Sequence, residues 1–211
     1  VTALVFLHGW GFDAGFWQRV AERLPEFNRV FVEFGFTGAR PNHAKLPDAI
    51  VVGHSMGFAW ALAHMPLPWR GAIAINAFPR FTRAPDFVSG VAPRMVERMI
   101  AKFADEPASV AADFLGRCGI EAPDTERLQY GPLGEALGWL ATCDQRPALK
   151  ALTCPVLALA GTRDQIVPEP MSREAFAGHN LVLAEGAGHL LPLSHPEWVA
   201  SRIRMFALGP K

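Results

Sequence analysis

The residues of this chain best placed to do chemistry form the run Gly53-His54-Ser55-Met56-Gly57. It follows the apolar segment Ala49-Ile50-Val51-Val52 and precedes Phe58-Ala59-Trp60-Ala61-Leu62-Ala63. The pattern reads as strand, sharp turn, helix, with a serine at the apex. The flanking glycines carry no Cβ where strand and helix converge. The amide-rich start of the helix faces the place where negative charge would develop on an attacked carbonyl. A serine hydroxyl is a weak nucleophile at neutral pH and needs a general base, which an acid must orient. Asp164, in Gly161-Thr162-Arg163-Asp164, and His189, in Gly186-Ala187-Gly188-His189, supply both groups in the order serine, acid, histidine. Each follows a short apolar run, so all three groups are expected above one rim of a sheet. The developing alkoxide needs two donors: the N–H of Met56 and the N–H of Trp10, the latter in the glycine-rich loop His8-Gly9-Trp10-Gly11. Trp10 is also expected to line the pocket.

Other candidates rank lower. His8 reads as a loop scaffold and His195 as structural beside Ser194, while His43, His64 and His179 lie in loops or next to proline. His54 flanks the serine but is expected to point elsewhere. An alternative acid after the run Ala72–Ile75 finds no support, since the chain there reads Asn76-Ala77-Phe78-Pro79 and carries no carboxylate until Asp86.

Strands are expected over Val1–Leu7, Arg29–Phe34, Ala49–Val52, Ala72–Ile75, Val156–Ala160 and Asn180–Leu183. Helices are expected from Phe16 to Leu24 and from about Pro196 to Phe206, the latter opened by a Ser194/Glu197 capping box. Continuous Val/Ile/Leu runs alternating with helices imply an α/β fold, a mostly parallel sheet of about six strands with helices on both faces. Two breaks in the rhythm stand out. Between Phe36 and Asp48 turn-forming residues leave room only for a loop or a single helical turn. Between Asn76 and Leu152 there are helical stripes, Val96/Met99/Ile100/Phe103 and Val110/Phe114/Leu115, without convincing strands. Segments 1–77 and 152–211 therefore read as the core and 78–151 as a helical lid over the C-terminal edge of the sheet, where ligands bind in open α/β folds.

At 211 residues, half of them hydrophobic and with zero formal net charge, the chain suits one domain and offers nothing to nucleic acid or to a membrane surface. Three widely spaced cysteines, Cys118, Cys143 and Cys154, fit no zinc pattern and suggest reduced thiols in a cytoplasm. A dinucleotide fingerprint is absent from the first strand-to-helix turn.

These motifs resemble the α/β-hydrolase superfamily along nearly the whole chain. A narrower resemblance is to the pimeloyl-[acyl-carrier protein] methyl ester esterases of biotin synthesis. It rests on His8-Gly9-Trp10-Gly11 with Phe16-Trp17, on Phe78-Pro79-Arg80-Phe81-Thr82 with Asp86-Phe87, and on Phe114-Leu115. The resemblance implies a serine carboxylesterase with Ser55, Asp164 and His189 as catalytic residues and Trp10 and Met56 as oxyanion donors. Phe114, Leu115 and Cys118 would touch the acyl chain, and no metal or organic cofactor is needed. The substrate would be a small-molecule or carrier-protein-bound acyl ester. The lid arginines that the family uses to dock acyl carrier protein correspond here to Ser109 and Asp113, but a different basic row, Arg94, Arg98 and Lys102, lies on one helical face. The resemblance begins at the strand expected over Val1–Leu7, without the leading β-hairpin usual in the superfamily. A short-acyl esterase, a carbon–carbon hydrolase or a perhydrolase would use the same triad. A non-catalytic ligand receptor would be expected to break it.

Overall fold

Strands that are apolar on both sides must be covered on both sides. The computed structural model describes residues 2–42 and 46–209; Val1 and His43, both named above, lie outside them. Six strands form one sheet, paired in parallel throughout, in the order β2-β1-β3-β4-β5-β6. They are β1 (Ala3–Leu7), β2 (Asn28–Val32), β3 (Ile50–His54), β4 (Gly71–Ile75), β5 (Val156–Gly161) and β6 (Asn180–Ala184). Successive side chains alternate between faces. Leu4, Phe6, Val52, Ile73 and Leu157 enter one apolar cluster, and Val5, Leu7, Val51, Ala72 and Ala158 enter the other. Each buried Val, Leu or Ile stabilises the sheet by about 1.5–3 kcal/mol. The strand order reverses between β1 and β3, a switch point at which the loops after two neighbouring strands diverge and leave a crevice.

A short 3-10 turn, Ala14–Trp17, leads into α1 (Gln18–Ala21), and α2 (Met56–His64) follows β3. The predicted Phe16–Leu24 helix is thus a tight turn followed by one α-turn, because Asp13 caps the backbone early and accepts from the Gly15 N–H at 2.9 Å. Four helices lie between β4 and β5: α3 (Pro93–Asp105), α4 (Pro107–Cys118), α5 (Tyr130–Thr142) and α6 (Arg146–Ala151). Arg80, where the chain leaves the sheet, and Arg146, where it returns, share the Asp144 carboxylate at 2.7 and 2.6 Å. The segment is thereby closed at its base.

After β5 come α7 (Glu169–Ala175), α8 (Leu191–Ser194) and α9 (Pro196–Leu208). The capping box expected at α9 does not form. Ser194 is the last residue of α8 and donates to the Leu190 carbonyl, Glu197 pairs with Arg23, and the cap position is His195, whose ring meets Ser194 Oγ rather than a first-turn N–H of α9. Among the described residues, the β2–β3 connection holds no helix; Glu33 and Asn42 form an isolated antiparallel bridge there.

Candidate active site

Every candidate group sits just beyond the C-terminal end of a strand. Ser55 follows β3 with φ +52° and ψ −126°, a conformation that a non-glycine residue adopts only under strain. The crowding that imposes it is visible at the flanking glycines. A Cβ on Gly53 would come within 2.5 Å of Phe58 Cα, and one on Gly57 within 2.4 Å of the His8 carbonyl oxygen. Helix α2 therefore lies directly on the ends of β3 and β1, with its first turn beside the serine.

Asp164 and His189 occupy the loops after β5 and β6. These loops are tied together by the Arg163 N–H on the Ala187 carbonyl at 2.9 Å and the Gly186 N–H on Thr162 Oγ1 at 2.9 Å. His189 Nδ1 lies 2.8 Å from Asp164 Oδ2, both side chains being buried. The other carboxylate oxygen, Oδ1, accepts the N–H groups of Ile166 at 2.7 Å and Val167 at 2.9 Å. An aspartate that only accepts fixes His189 as the Nδ1–H tautomer, with Nε2 as the free lone pair. Nε2 is buried and has no hydrogen-bond partner. Asp164 and His189 are thus brought together. The serine stands on the adjoining rim without a hydrogen bond to Nε2, a link that commonly tightens only when substrate binds.

Sequence reasoning missed two residues here. His54 does not point idly away: its Nε2 lies 3.0 Å from the His189 carbonyl oxygen, and the two rings are 4.8 Å apart. Burial first, and the His189 imidazole second, hold the His54 proton affinity well below that of a free histidine, so it is a neutral donor. An unfolded His54 would take up a proton at about pH 6.5, and the folded one resists it. Stability is therefore full above that pH and declines as pH falls below it, by about 1.4 kcal/mol per unit until the folded value is reached. Urea midpoints taken between pH 7.5 and 5 should follow this slope and His54→Gln should flatten it; parallel slopes would exonerate His54. The second residue is Asn76, at the end of β4, whose Nδ2 donates to Asp164 Oδ2 at 2.7 Å.

His8 is a scaffold as expected. It is fully buried, with Nδ1 3.0 Å from the Gly9 carbonyl and Nε2 3.5 Å from Glu33. The amides of Trp10 and Met56 donate to no backbone acceptor among the described residues, so both N–H groups are available to a ligand. The Trp10 indole instead reaches into the helical segment, where Nε1 donates to the Leu133 carbonyl at 2.9 Å and the ring meets Phe114 edge-on at 5.0 Å.

Ser55, Met56 and Trp10 line a cavity of about 590 Å³ between the sheet edge and these helices, walled by apolar groups such as Phe78, Val91, Met99 and Leu137. On α4 the positions Val110, Asp113, Phe114 and Arg117 face the cavity. The neighbouring stripe Ala111, Leu115 and Cys118 is buried in the core instead. Leu115 and Cys118 are not among the residues that line this cavity. Of the basic row, Arg98 and Lys102 line the cavity and Arg94 does not. Lys102 is engaged by Asp113 at 3.4 Å and Glu106 at 3.8 Å. Two further cations, Arg83 and Arg117, complete the lining.

The sequence pattern of the alpha/beta hydrolase family matches residues 4–202 of this chain. The chain belongs to the alpha/beta hydrolase family. Within it, this alpha/beta hydrolase stands with the carboxylic ester hydrolases. A pimeloyl-[acyl-carrier protein] methyl ester esterase of Xanthomonas campestris pv. campestris (strain B100) is 32% identical over 243 aligned positions, covering 97% of this chain and 94% of that one. The biotin biosynthesis bifunctional protein BioHC of Cellvibrio japonicus (strain Ueda107) is 27% identical and covers 96% of this chain, which spans about half of that longer protein, 47%. An esterase from Exiguobacterium antarcticum has the same fold, with a TM-score of 0.82 at 20% identity over 99% of this hydrolase and 92% of that chain. Among the described residues no helix is long and apolar enough to cross a membrane.

Proposed function

We propose that this alpha/beta hydrolase cleaves carboxylic esters through Ser55, His189 and Asp164. Ser55 Oγ attacks the ester carbonyl carbon as His189 Nε2 accepts its proton. Asp164 holds the Nδ1–H tautomer and stabilises the imidazolium. The oxyanion is received by the Trp10 and Met56 amides. Collapse expels the alcohol, which takes the proton from Nε2 and leaves an acyl-serine. Water, deprotonated by the same nitrogen, then attacks the acyl carbon and releases the acid and Ser55. The observation that carries this reading is the buried Asp164–His189 pair at 2.8 Å, with an unpartnered Nε2, at the rim from which Ser55 is displayed at φ +52°. A fluorophosphonate probe should add one covalent group, mapped by peptide mass to Ser55. Labelling elsewhere would reject Ser55 as the nucleophile, and absence of labelling would favour a binding protein.

Segment 78–151 is then the lid, and segments 1–77 and 152–211 the core it covers. Phe114 and the apolar wall suit an acyl chain. Arg83, Arg98 and Arg117, exposed at the cavity and bearing no ion pair among the described residues, suit an acidic carrier. With the relatives named above, this supports pimeloyl-[acyl-carrier protein] methyl ester as substrate and acyl carrier protein as partner, in a cytoplasmic setting compatible with three free thiols. The double substitution Arg98→Glu/Arg117→Glu should lower kcat/KM for the carrier-bound ester at least tenfold more than for p-nitrophenyl acetate. Equal losses, or failure to complement a biotin auxotroph lacking its methyl esterase, would leave a short-acyl esterase.

A further inference from the structure

The Asp164 carboxylate accepts from four groups, three of which lie on its own loop or on His189; the fourth comes from a different strand end. Asn76 has φ +46°, and its N–H is fixed to the Leu159 carbonyl at 2.8 Å. Its Nδ2 lies 2.7 Å from Asp164 Oδ2, the same oxygen that meets His189 Nδ1, and 3.3 Å from the Gly188 carbonyl. The orientation of the amide is forced. Flipped, its oxygen would face a carboxylate oxygen and a carbonyl oxygen. The consequence is an Oδ1 that is buried without a partner, a cost tolerated only if the Nδ2 contacts matter more.

We propose that Asn76 is a positioning residue for the acid–base pair, acting through Asp164 and through the residue preceding His189. The proposal rests on the triad reading above. One nitrogen touches both the acid and the loop that carries the base, so it sets the separation of the two loops. As a donor on Oδ2 it also withdraws negative charge from the side of the carboxylate that faces the imidazole, which limits how strongly a protonated His189 is held. The other titratable groups facing the pair are His54 from β3, held neutral by burial, with His8 beyond it, and Cys118 from α4, with Arg117 beyond it. Burial, reinforced by Asp164, keeps the Cys118 thiol protonated.

Two variants separate this role from simple space-filling. Asn76→Gly accepts the positive φ without strain and removes only the side chain. Asn76→Asp keeps the shape and replaces the donor with an acceptor. Per active site titrated with a fluorophosphonate, Asn76→Gly should lose about 10- to 100-fold in kcat, the loss of one hydrogen bond to a charged group, with KM little changed. The acid limb of its kcat/KM profile should move to higher pH, since more carboxylate charge then faces the imidazolium. At pH 8 Asn76→Asp should be less active than Asn76→Gly despite filling the same space as asparagine. Asn76→Asp more active than Asn76→Gly, with an unmoved acid limb in the glycine variant, would reduce Asn76 to a filler and overturn the proposal. Ser55→Ala and Asp164→Asn run in parallel. If they retain activity the triad reading has failed; if they are inactive while Asn76→Asp works, only the role of Asn76 has.

Discussion

Ser55→Ala should lower hydrolysis of p-nitrophenyl acetate by about 10⁴- to 10⁶-fold, the scale seen when a triad nucleophile is removed and only binding and oxyanion contacts remain. The fold should hardly notice. The Ser55 hydroxyl makes no side-chain hydrogen bond to the described chain, and the backbone that strains residue 55 is fixed by the Ser55 N–H on the Ile75 carbonyl at 3.1 Å. Alanine adopts φ +52° no less readily than serine, so thermal midpoints should agree within about 2–4 °C, the shift produced by some 1 kcal/mol in a domain of this size. Turnover within tenfold of the parent, measured with an enzyme preparation free of host esterases, would remove Ser55 from the chemistry altogether.

Gly57→Ala should act through the opposite channel, on structure first and activity second. The added methyl would sit 2.4 Å from the His8 carbonyl oxygen and 2.7 Å from that of Leu7, both rigid backbone atoms of a strand end. Relief requires α2 to retreat from the sheet by roughly an ångström. That retreat would open the contacts of Phe58 and Ala61, which have no exposed surface. A loss of about 3 kcal/mol or more follows from overpacking plus lost burial. Moving the first turn of α2 also moves the Met56 amide, so surviving protein should be at least 100-fold slower. Gly116→Ala on α4 is the internal control. Nothing lies within 4 Å of its would-be Cβ, and replacing a glycine in the last turn of a helix should stabilise by up to about 0.5–1 kcal/mol. Chemical denaturation of the two variants beside the parent tests both signs. A Gly57→Ala protein as stable as the parent would contradict the close approach of helix and strand.

The architecture was legible because its signals are periodic and local. Buried strands such as Ile50–His54 and Val156–Gly161 are largely apolar runs, and Ser55, Asp164 and His189 follow β3, β5 and β6. What escaped is what depends on three-dimensional facing. Asn76 was passed over because a search for acids discards an amide. The available signal was an asparagine immediately after a strand, where its tolerance of positive φ suits a sharp exit. His54 could be seen beside Ser55, but not its partner carbonyl 135 residues away along the chain. On α4 the apolar stripe is visible in the sequence, yet which of its members border the cavity and which pack into the core is decided by neighbouring helices. The Arg94/Arg98/Lys102 row reads as one basic face until Asp113 and Glu106 fold against its last member.

The Trp10 indole has its backbone amide in the loop after β1 and its ring nitrogen on the Leu133 carbonyl of α5, 2.9 Å away. One side chain therefore spans the seam between the rigid sheet and the helices above it. If α5 swings outward far enough to admit a bulky acyl group, that hydrogen bond must break or the loop must follow. Displacement of α5 therefore costs either this hydrogen bond or the present position of the loop that carries the Trp10 amide.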